Sequence, residues 1–464
     1  MKIELAKTEN IHFVGIGGIG MSGLALIMKG MGFKIQGSDI SSNKNIERLK
    51  KNNIKVIVGH KKKNIKNATI LVISSAIKNN NPEIIFAKSK QLPIYKRGDM
   101  LAHIASLTKN IVVAGSHGKT TTTSLIAGIF SKTKLDPTII NGGVLNSLNN
   151  SARLGKSKWC ILEADESDGS FISIPSTYSI ITNIDREHMD YYKSMEILKK
   201  LFIKFVEKVP PFGKSFICID DKNNSQIIKK INIKNFYTYG ISDKSNFKIK
   251  NFKQSKNFSE FAVDIRLPGK KNMSIKNIKI PLLGLHNVRN ATAALAISVT
   301  IGISKDTIKK GLNEFKGVQR RFNKIFTYRE TEFYDDYAHH PSEIKEVLNG
   351  VKEAYKKQEI ICVFQPHRIS RLKDLRKEFS ESFKKADTVI LCPIYLAGEK
   401  LKLGFNYLNF AKEIIINSKV KLFFVKDQHQ LSNFIKHNIY GKKVVIGMGA
   451  GSISNWMKEL PYFI

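Results

Sequence analysis

The chain has 464 residues, 42% hydrophobic and 25% charged. That balance excludes wholesale disorder and, at roughly 150 residues per domain, suggests about three domains. The net charge of +37 is extreme, but 12 of the 76 basic residues are Arg and the rest are scattered Lys. A DNA or RNA reader carries more Arg and stacking aromatics, so the charge reads as compositional bias and no nucleic-acid partner is expected.

No stretch approaches the ~18 apolar residues of a transmembrane helix, and the first ten residues lack the apolar run of a signal peptide. Cys160, Cys218, Cys362 and Cys392 form no CxxC pair. Zinc ribbons and disulfide scaffolds are thereby excluded, and a cytoplasmic protein without a membrane partner is expected.

A strand, a glycine turn and a helix start three times along the chain. The first start is strand 11–14, then Gly15-Ile-Gly17-Gly18-Ile-Gly20, then a helix from Met21 to about Lys29. Strands follow at 56–58 and 70–73. The second start is strand 111–114, then Gly115-Ser116-His117-Gly118-Lys119-Thr120, then a helix from about Thr121 to Phe130. Strands are predicted at 160–163 and 179–182, a β-hairpin insertion over about 216–280, and an Ala-rich helix at 291–299. The third start lies near Gly317, with strands at 331–335, 360–364, 388–392, 420–425 and 444–446 and a helix opening at Pro341. Strands alternating with helices predict an α/β chain built on parallel sheets. Boundaries fall near 107 and 316, giving domains 1–107, 108–316 and 317–464.

Gly15, Gly17 and Gly20 match a dinucleotide fingerprint, in which glycines let backbone approach a diphosphate at a helix N-terminus. Asp39 lies 19 residues past Gly20, where a ribose-binding acid falls. Read alone, this motif fits a nicotinamide-dependent dehydrogenase. The second loop departs from GxxxxGK[ST], since Val113 stands in place of the first Gly. Its chemistry still works: backbone N–H groups surround phosphates, Lys119 reaches the β/γ oxygens and Thr120 offers a hydroxyl to Mg²⁺. A nucleic-acid-binding ATPase would explain this loop and the charge but not the fingerprint. Glu163 ends a strand and opens Glu163-Ala-Asp-Glu-Ser-Asp168, a suitable place for a Mg²⁺ ligand. Spacing alone makes His188 structural.

Together, the Gly115–Thr120 loop, the Glu163 run and Asn183-Ile-Asp-Arg-Glu-His-Met-Asp190 resemble the Mur ligase family, ATP-dependent amide-forming enzymes of peptidoglycan precursor synthesis. Gly284-Leu-His-Asn-Val-Arg-Asn-Ala-Thr292, Gln319-Arg-Arg-Phe322 and Tyr334-Asp-Asp-Tyr-Ala-His-His-Pro341 continue the resemblance in family order. The first-domain glycines, Gln365-Pro-His-Arg-Ile-Ser-Arg371 and Tyr395-Leu-Ala-Gly-Glu399 resemble the branch that joins L-alanine to UDP-N-acetylmuramate. The alternative is the recycling branch that attaches a tripeptide. Other branches carry a carbamylated lysine where this chain has Ile203.

The resemblance implies a Rossmann-like first domain, a central ATPase domain with a β insertion and a Rossmann-like third domain, acting as a monomer or weak homodimer. It implies a UDP-sugar site at Gly15, Gly17, Gly18, Gly20, Ser38, Asp39, Ser74 and Arg97. ATP would meet the loop 115–120, Thr121, His286, Asn290, Arg320 and, through its ribose, Asp336. Mg²⁺ would be held by Thr120 and Glu163, with His188 on a second ion. The amino acid would meet Tyr337, His339, His367, Arg368 and Arg371. Lys119, His188, His339 and Arg368 would be catalytic, with His339 orienting alanine or assisting its deprotonation; His340 is not separable from it by sequence.

Overall fold

The structure is a computed structural model that describes residues 8–399 and 405–464. It contains three sheets. The first has five parallel strands in the order Lys55–Val58, Lys34–Asp39, Asn10–Val14, Ile70–Ile73, Ile94–Lys96. This doubly wound order puts a crevice at the carboxyl end of the first strand, where ligands bind in such sheets. The helix Ile19–Met31 starts there, two residues earlier than predicted, with Gly18 as its N-cap and Gly32 closing it in a left-handed conformation.

The second sheet has ten strands. Phe236–Gly240, Lys214–Cys218, Tyr178–Ile181, Lys109–Ala114, Trp159–Glu163 and Thr138–Leu145 form its parallel part, and Asn150–Arg153 adds an antiparallel edge. Ile111, Val112, Val113 and Ala114 are fully buried, as expected of a strand covered on both faces. The predicted insertion over 216–280 needs correction. Lys214–Cys218 and Phe236–Gly240 are parallel neighbours joined through the helix Lys222–Ile228. Only Asn224 and Ile227 of that helix are buried, so its sequence shows no apolar stripe. The added strands begin later: Phe247–Gln254, Ser259–Ile265 and Met273–Ile280 extend the sheet in chain order.

The third sheet has the order Asn323–Tyr328, Thr331–Asp336, Lys443–Met448, Glu359–Phe364, Thr388–Leu391, Lys421–Phe424. All its neighbours are parallel except the first pair. The last strand of the chain therefore lies inside the sheet. Pro341 opens the helix Pro341–Ala354, as predicted, with His340 as its N-cap.

The chain divides into two compact units. One runs to Lys250 and adds Ala262–Ile278 and Arg289–Lys316; the other comprises Asn251–Phe261, Lys279–Val288 and Gly317–Ile464. No described helix is long and apolar enough to cross a membrane.

Candidate active site

The second glycine turn sits between the strand Lys109–Ala114 and the helix Lys119–Phe130. Gly115 has φ +131° and Gly118 φ +82°, conformations that L side chains avoid. A Cβ on Gly118 would also lie 2.7 Å from Asn290 Oδ1, which places Asn290 against the loop. The segment after the strand Tyr178–Ile181 seats the turn. His117 N–H donates to Asn183 Oδ1 at 2.9 Å, and Ser116 Oγ accepts from Asp185 N–H at 2.8 Å. His117 Nε2 lies 3.1 Å from Asp185 Oδ2. The helix N-terminus, with Thr120 and Thr121 buried in its first turn, supplies free N–H groups and a positive dipole end for an anion.

Lys119 Nζ donates to Gly115 O at 2.6 Å and Ser116 O at 2.9 Å, and lies 2.8 Å from Glu166 Oε2. Burial works against its charge, but Glu166 and Glu163 outweigh it and hold the ammonium more firmly protonated than an ordinary lysine. Thr120 Oγ1 donates to Glu163 Oε1 at 3.1 Å, and Glu163 Oε2 accepts from Gly142 N–H at 2.7 Å. A hydroxyl and a carboxylate are thus paired beside the phosphate turn, an oxygen donor set that suits Mg²⁺.

A second set adjoins it: Glu166, Glu187 and His188 each bring a ligand atom within 4.8 Å of the others. His188 takes a left-handed backbone conformation at φ +56°. Glu166 and Glu187 were missed in the sequence. Glu166 stood in plain view in the acidic run, but only the folded loop shows that it returns to Lys119. Burial pushes its carboxyl up to about 7, the neighbouring Lys119 opposing that rise.

The first glycine turn is held from the next strand. Gly15 and Ile16 N–H groups donate to Ser38 O at 2.9 and 3.0 Å, and Gly17 N–H donates to Asp39 Oδ2 at 2.8 Å. Asp39 was expected at a ribose; here its carboxylate holds the turn itself. Asn45 Nδ2 donates to Gly17 O at 2.9 Å. Ser74 packs against Gly15 and Arg97 against Gly20, while Arg97 Nη2 donates to Asp165 Oδ2 at 3.0 Å.

The carboxyl ends of Thr331–Asp336 and Glu359–Phe364 gather the residues expected around an amino acid. The His367 and His339 rings meet edge-on at 5.6 Å, and His339 meets Tyr337 at 5.0 Å. Arg371 Nη1 is 3.4 Å from His367 Nδ1, and Tyr395 stacks on His367 at 5.6 Å. The Arg320 guanidinium lies 4.7 Å over Tyr337 and donates to Gly449 O at 2.7 Å. His286 lies 3.7 Å from Glu346.

The structure separates the two adjacent histidines, His340 being the buried helix cap and His339 the ring facing Tyr337 and His367. Asp336, expected at the ATP ribose, is 4% exposed, and its oxygens accept from Phe322 and Ala338 N–H, both at 2.7 Å. Burial pushes it up to about 6. The bond from Phe322 ties Asp336 to the segment that follows Arg320 and Arg321.

Burial, with the charges of His339, Arg371 and Arg368, pushes His367 down to about 3. Between that value and ~6.5 the unfolded chain binds a proton that the folded chain does not, so this group makes stability rise with pH across that window, costs stability as pH falls through it, and is silent above it. His367→Gln is expected to flatten part of the acid limb of a melting-temperature profile. The parent's His367 ring should show no NMR titration from about pH 5 to 8; a midpoint near 6.5 would contradict the site geometry.

Three family models match in order: Mur ligase family, catalytic domain, over residues 10–109; Mur ligase middle domain over 113–298; and Mur ligase, glutamate ligase domain, over 320–451. The chain is 75% identical over 464 residues to a UDP-N-acetylmuramate–L-alanine ligase of Pelagibacter ubique, covering 100% of both chains. It is similar to the crystal structure of the UDP-N-acetylmuramate-alanine ligase of Thermotoga maritima, with a TM-score of 0.81, 27% identity and 98% of each chain covered. The murein peptide ligase of Psychrobacter arcticus shares the fold, with a TM-score of 0.73, 21% identity and 98% coverage of each chain. With two glycine turns, paired acids at the second and a full-length likeness of this depth, the chain belongs to the Mur ligase family.

Proposed function

We propose that this enzyme joins L-alanine to the lactyl carboxylate of UDP-N-acetylmuramate, cleaving ATP to ADP and phosphate, as a cytoplasmic step of peptidoglycan precursor synthesis. The observation that carries the reading is the full-length identity of 75% to a UDP-N-acetylmuramate–L-alanine ligase. The convergence of Lys119, Thr120, Glu163 and Glu166 at one phosphate turn supports it. In this reading residues 1–107 bind the UDP-sugar, 108–316 bind ATP and 317–464 bind the amino acid.

A carboxylate does not acylate an amine at neutral pH, because oxide is too poor a leaving group. The lactyl carboxylate attacks the γ-phosphorus in line and ADP departs, leaving an acyl phosphate. The alanine amine then attacks the carbonyl and expels phosphate. Lys119 meets the charge on the transferring group. Thr120 and Glu163 would hold one Mg²⁺, and Glu166, Glu187 and His188 fit a second. Bound there, Mg²⁺ supplies charge neutralisation for the phosphates. By family likeness Asn290, His286 and Arg320 would serve the nucleotide. Arg368 and Arg371 offer planar forks to the alanine carboxylate, with His339 orienting the amine.

The test is phosphate release from ATP with UDP-N-acetylmuramate and each amino acid in turn. Release that depends on L-alanine is expected. Poor use of free alanine beside good use of L-Ala-D-Glu-diaminopimelate would favour the tripeptide branch. The high charge is expected to give only weak, sequence-blind oligonucleotide binding that disappears by roughly 200 mM salt, where phosphate contacts are strongly weakened. Tight binding in a filter or fluorescence assay at that salt would revive a nucleic-acid role.

A further inference from the structure

The first domain contains a buried polar cluster that the reaction chemistry does not use. Glu83, in the first turn of the helix Pro82–Ser89, is 0% exposed. Its Oε2 accepts from the Ser38 hydroxyl at 2.6 Å and lies 3.2 Å from His60 Nδ1 and 3.5 Å from His12 Nε2. Its Oε1 accepts from Asn64 Nδ2 at 2.6 Å and from Lys61 N–H at 3.3 Å. Ser38 Oγ is itself 3.0 Å from His60 Nδ1 and 3.3 Å from His12 Nε2. A buried carboxylate is tolerated only when donors surround it, and here all these contacts are to groups able to donate. Burial alone would raise its pKa, but hydrogen bonds from His12, Ser38 and Asn64 and the charge of His12 prevail and hold it at about 2.

An ionised carboxylate only accepts. The Ser38 hydrogen therefore points at Glu83, and His60 must carry a hydrogen on Nδ1 to face it. This fixes Ser38 from its side chain, and Ser38 is the residue from which the first glycine turn hangs. Its carbonyl takes the Gly15 and Ile16 N–H groups, and the next residue, Asp39, takes Gly17 N–H.

We propose that Glu83 is a positioning residue for UDP-sugar recognition, clamping Ser38 between His12 and His60 so that the Gly15–Gly20 turn keeps the shape that receives the diphosphate. This rests on the assignment of the UDP-sugar to the first domain. A residue that served stability alone would, when altered, lower the melting temperature without choosing between ligands.

The test uses the full chain, with UDP-N-acetylmuramate and ATP titrated separately by calorimetry. Glu83→Gln keeps the shape and removes the charge. It is expected to weaken UDP-N-acetylmuramate binding roughly tenfold or more, the scale of a lost charge-assisted hydrogen bond, with ATP affinity within about threefold. Nitrogen-15 NMR should show His60 of the parent with its hydrogen on Nδ1 and the variant without that preference. If Glu83→Gln does not fold, Ser38→Ala, which deletes one hydroxyl, is held to the same thresholds. Parental UDP-sugar affinity in the folded variant overturns the proposal alone, as do equal losses for both ligands. A parent that binds ATP but not UDP-N-acetylmuramate overturns the domain assignment and the proposal with it.

Discussion

Lys119→Ala is expected to slow phosphate release from ATP by roughly a thousandfold, the scale of losing one preorganised charge at a transferring group. The ammonium is tied to Gly115 O and Ser116 O within the turn, so it stands where the phosphates would lie. Its loss has a second effect. Glu166 is 2% exposed, and its carboxyl already sits near 7 with Lys119 beside it. Without that cation burial drives it higher, and a protonated Glu166 is a poor metal ligand. Lys119→Arg should not rescue, because a planar fork does not fit between two carbonyls as a compact ammonium does. UDP-N-acetylmuramate affinity should stay within about threefold, since removing one charge at the second turn leaves the contacts of the first intact. Equal loss of UDP-sugar affinity and turnover would sink the assignment of the two turns to two nucleotides.

The second large effect is expected at Arg368 and Arg371. L-Alanine offers little apolar surface, so its carboxylate must provide most of its binding. Losing a bidentate charged pair in a closed site costs ~2–5 kcal/mol, a factor of roughly 30 to several thousand. Arg368→Lys or Arg371→Lys is therefore expected to raise the alanine requirement at least about tenfold, with the UDP-sugar and ATP requirements moving much less. Arg368 also has φ +66° and ψ +129°, a conformation natural to glycine and costly for any side chain. Such strain is of order 1–3 kcal/mol and persists where the surroundings impose it. Arg368→Gly should accordingly melt at a higher temperature than Arg368→Lys while using alanine no better. If both lysine variants match the parent in alanine kinetics, the pocket lies elsewhere.

The first two starts of the fold were legible because each joins an apolar strand to a glycine turn and a helix, and such strands are buried on both faces; in the third, the strand Thr331–Asp336 reaches the helix at Pro341 with no glycine between them. Among the strands that escaped, Lys34–Asp39 (KIQGSD), Ile94–Lys96 (IYK) and Asn323–Tyr328 (NKIFTY) carry no long run of apolar residues, and Thr138–Leu145 (TIINGGVL) is interrupted by Asn141, Gly142 and Gly143. Lys119, Thr120 and Glu163 were legible from their places at the ends of a strand and a helix. Glu166 was not, because its meeting with Lys119 spans 47 residues. Asp39 and Asp336 were legible as important acids, yet hydrogen bonds to nearby backbone, which no motif encodes, set their places. The cluster around Glu83 draws its partners from three separate segments, none with a recognisable pattern.

The place of the strand Lys443–Met448 has a consequence for synthesis. It lies between Thr331–Asp336 and Glu359–Phe364, although it follows both of them in the chain and leaves the ribosome after them. Until then the two older strands have no shared neighbour, and Phe333 and Ile361 belong to a cluster still missing Val445. The nascent third domain must therefore wait, with apolar strand edges exposed, for this later strand. A stop codon after Tyr440 would remove the middle of a sheet rather than trim its margin. A frameshift just before Lys443 should thus be as damaging to solubility as one much earlier.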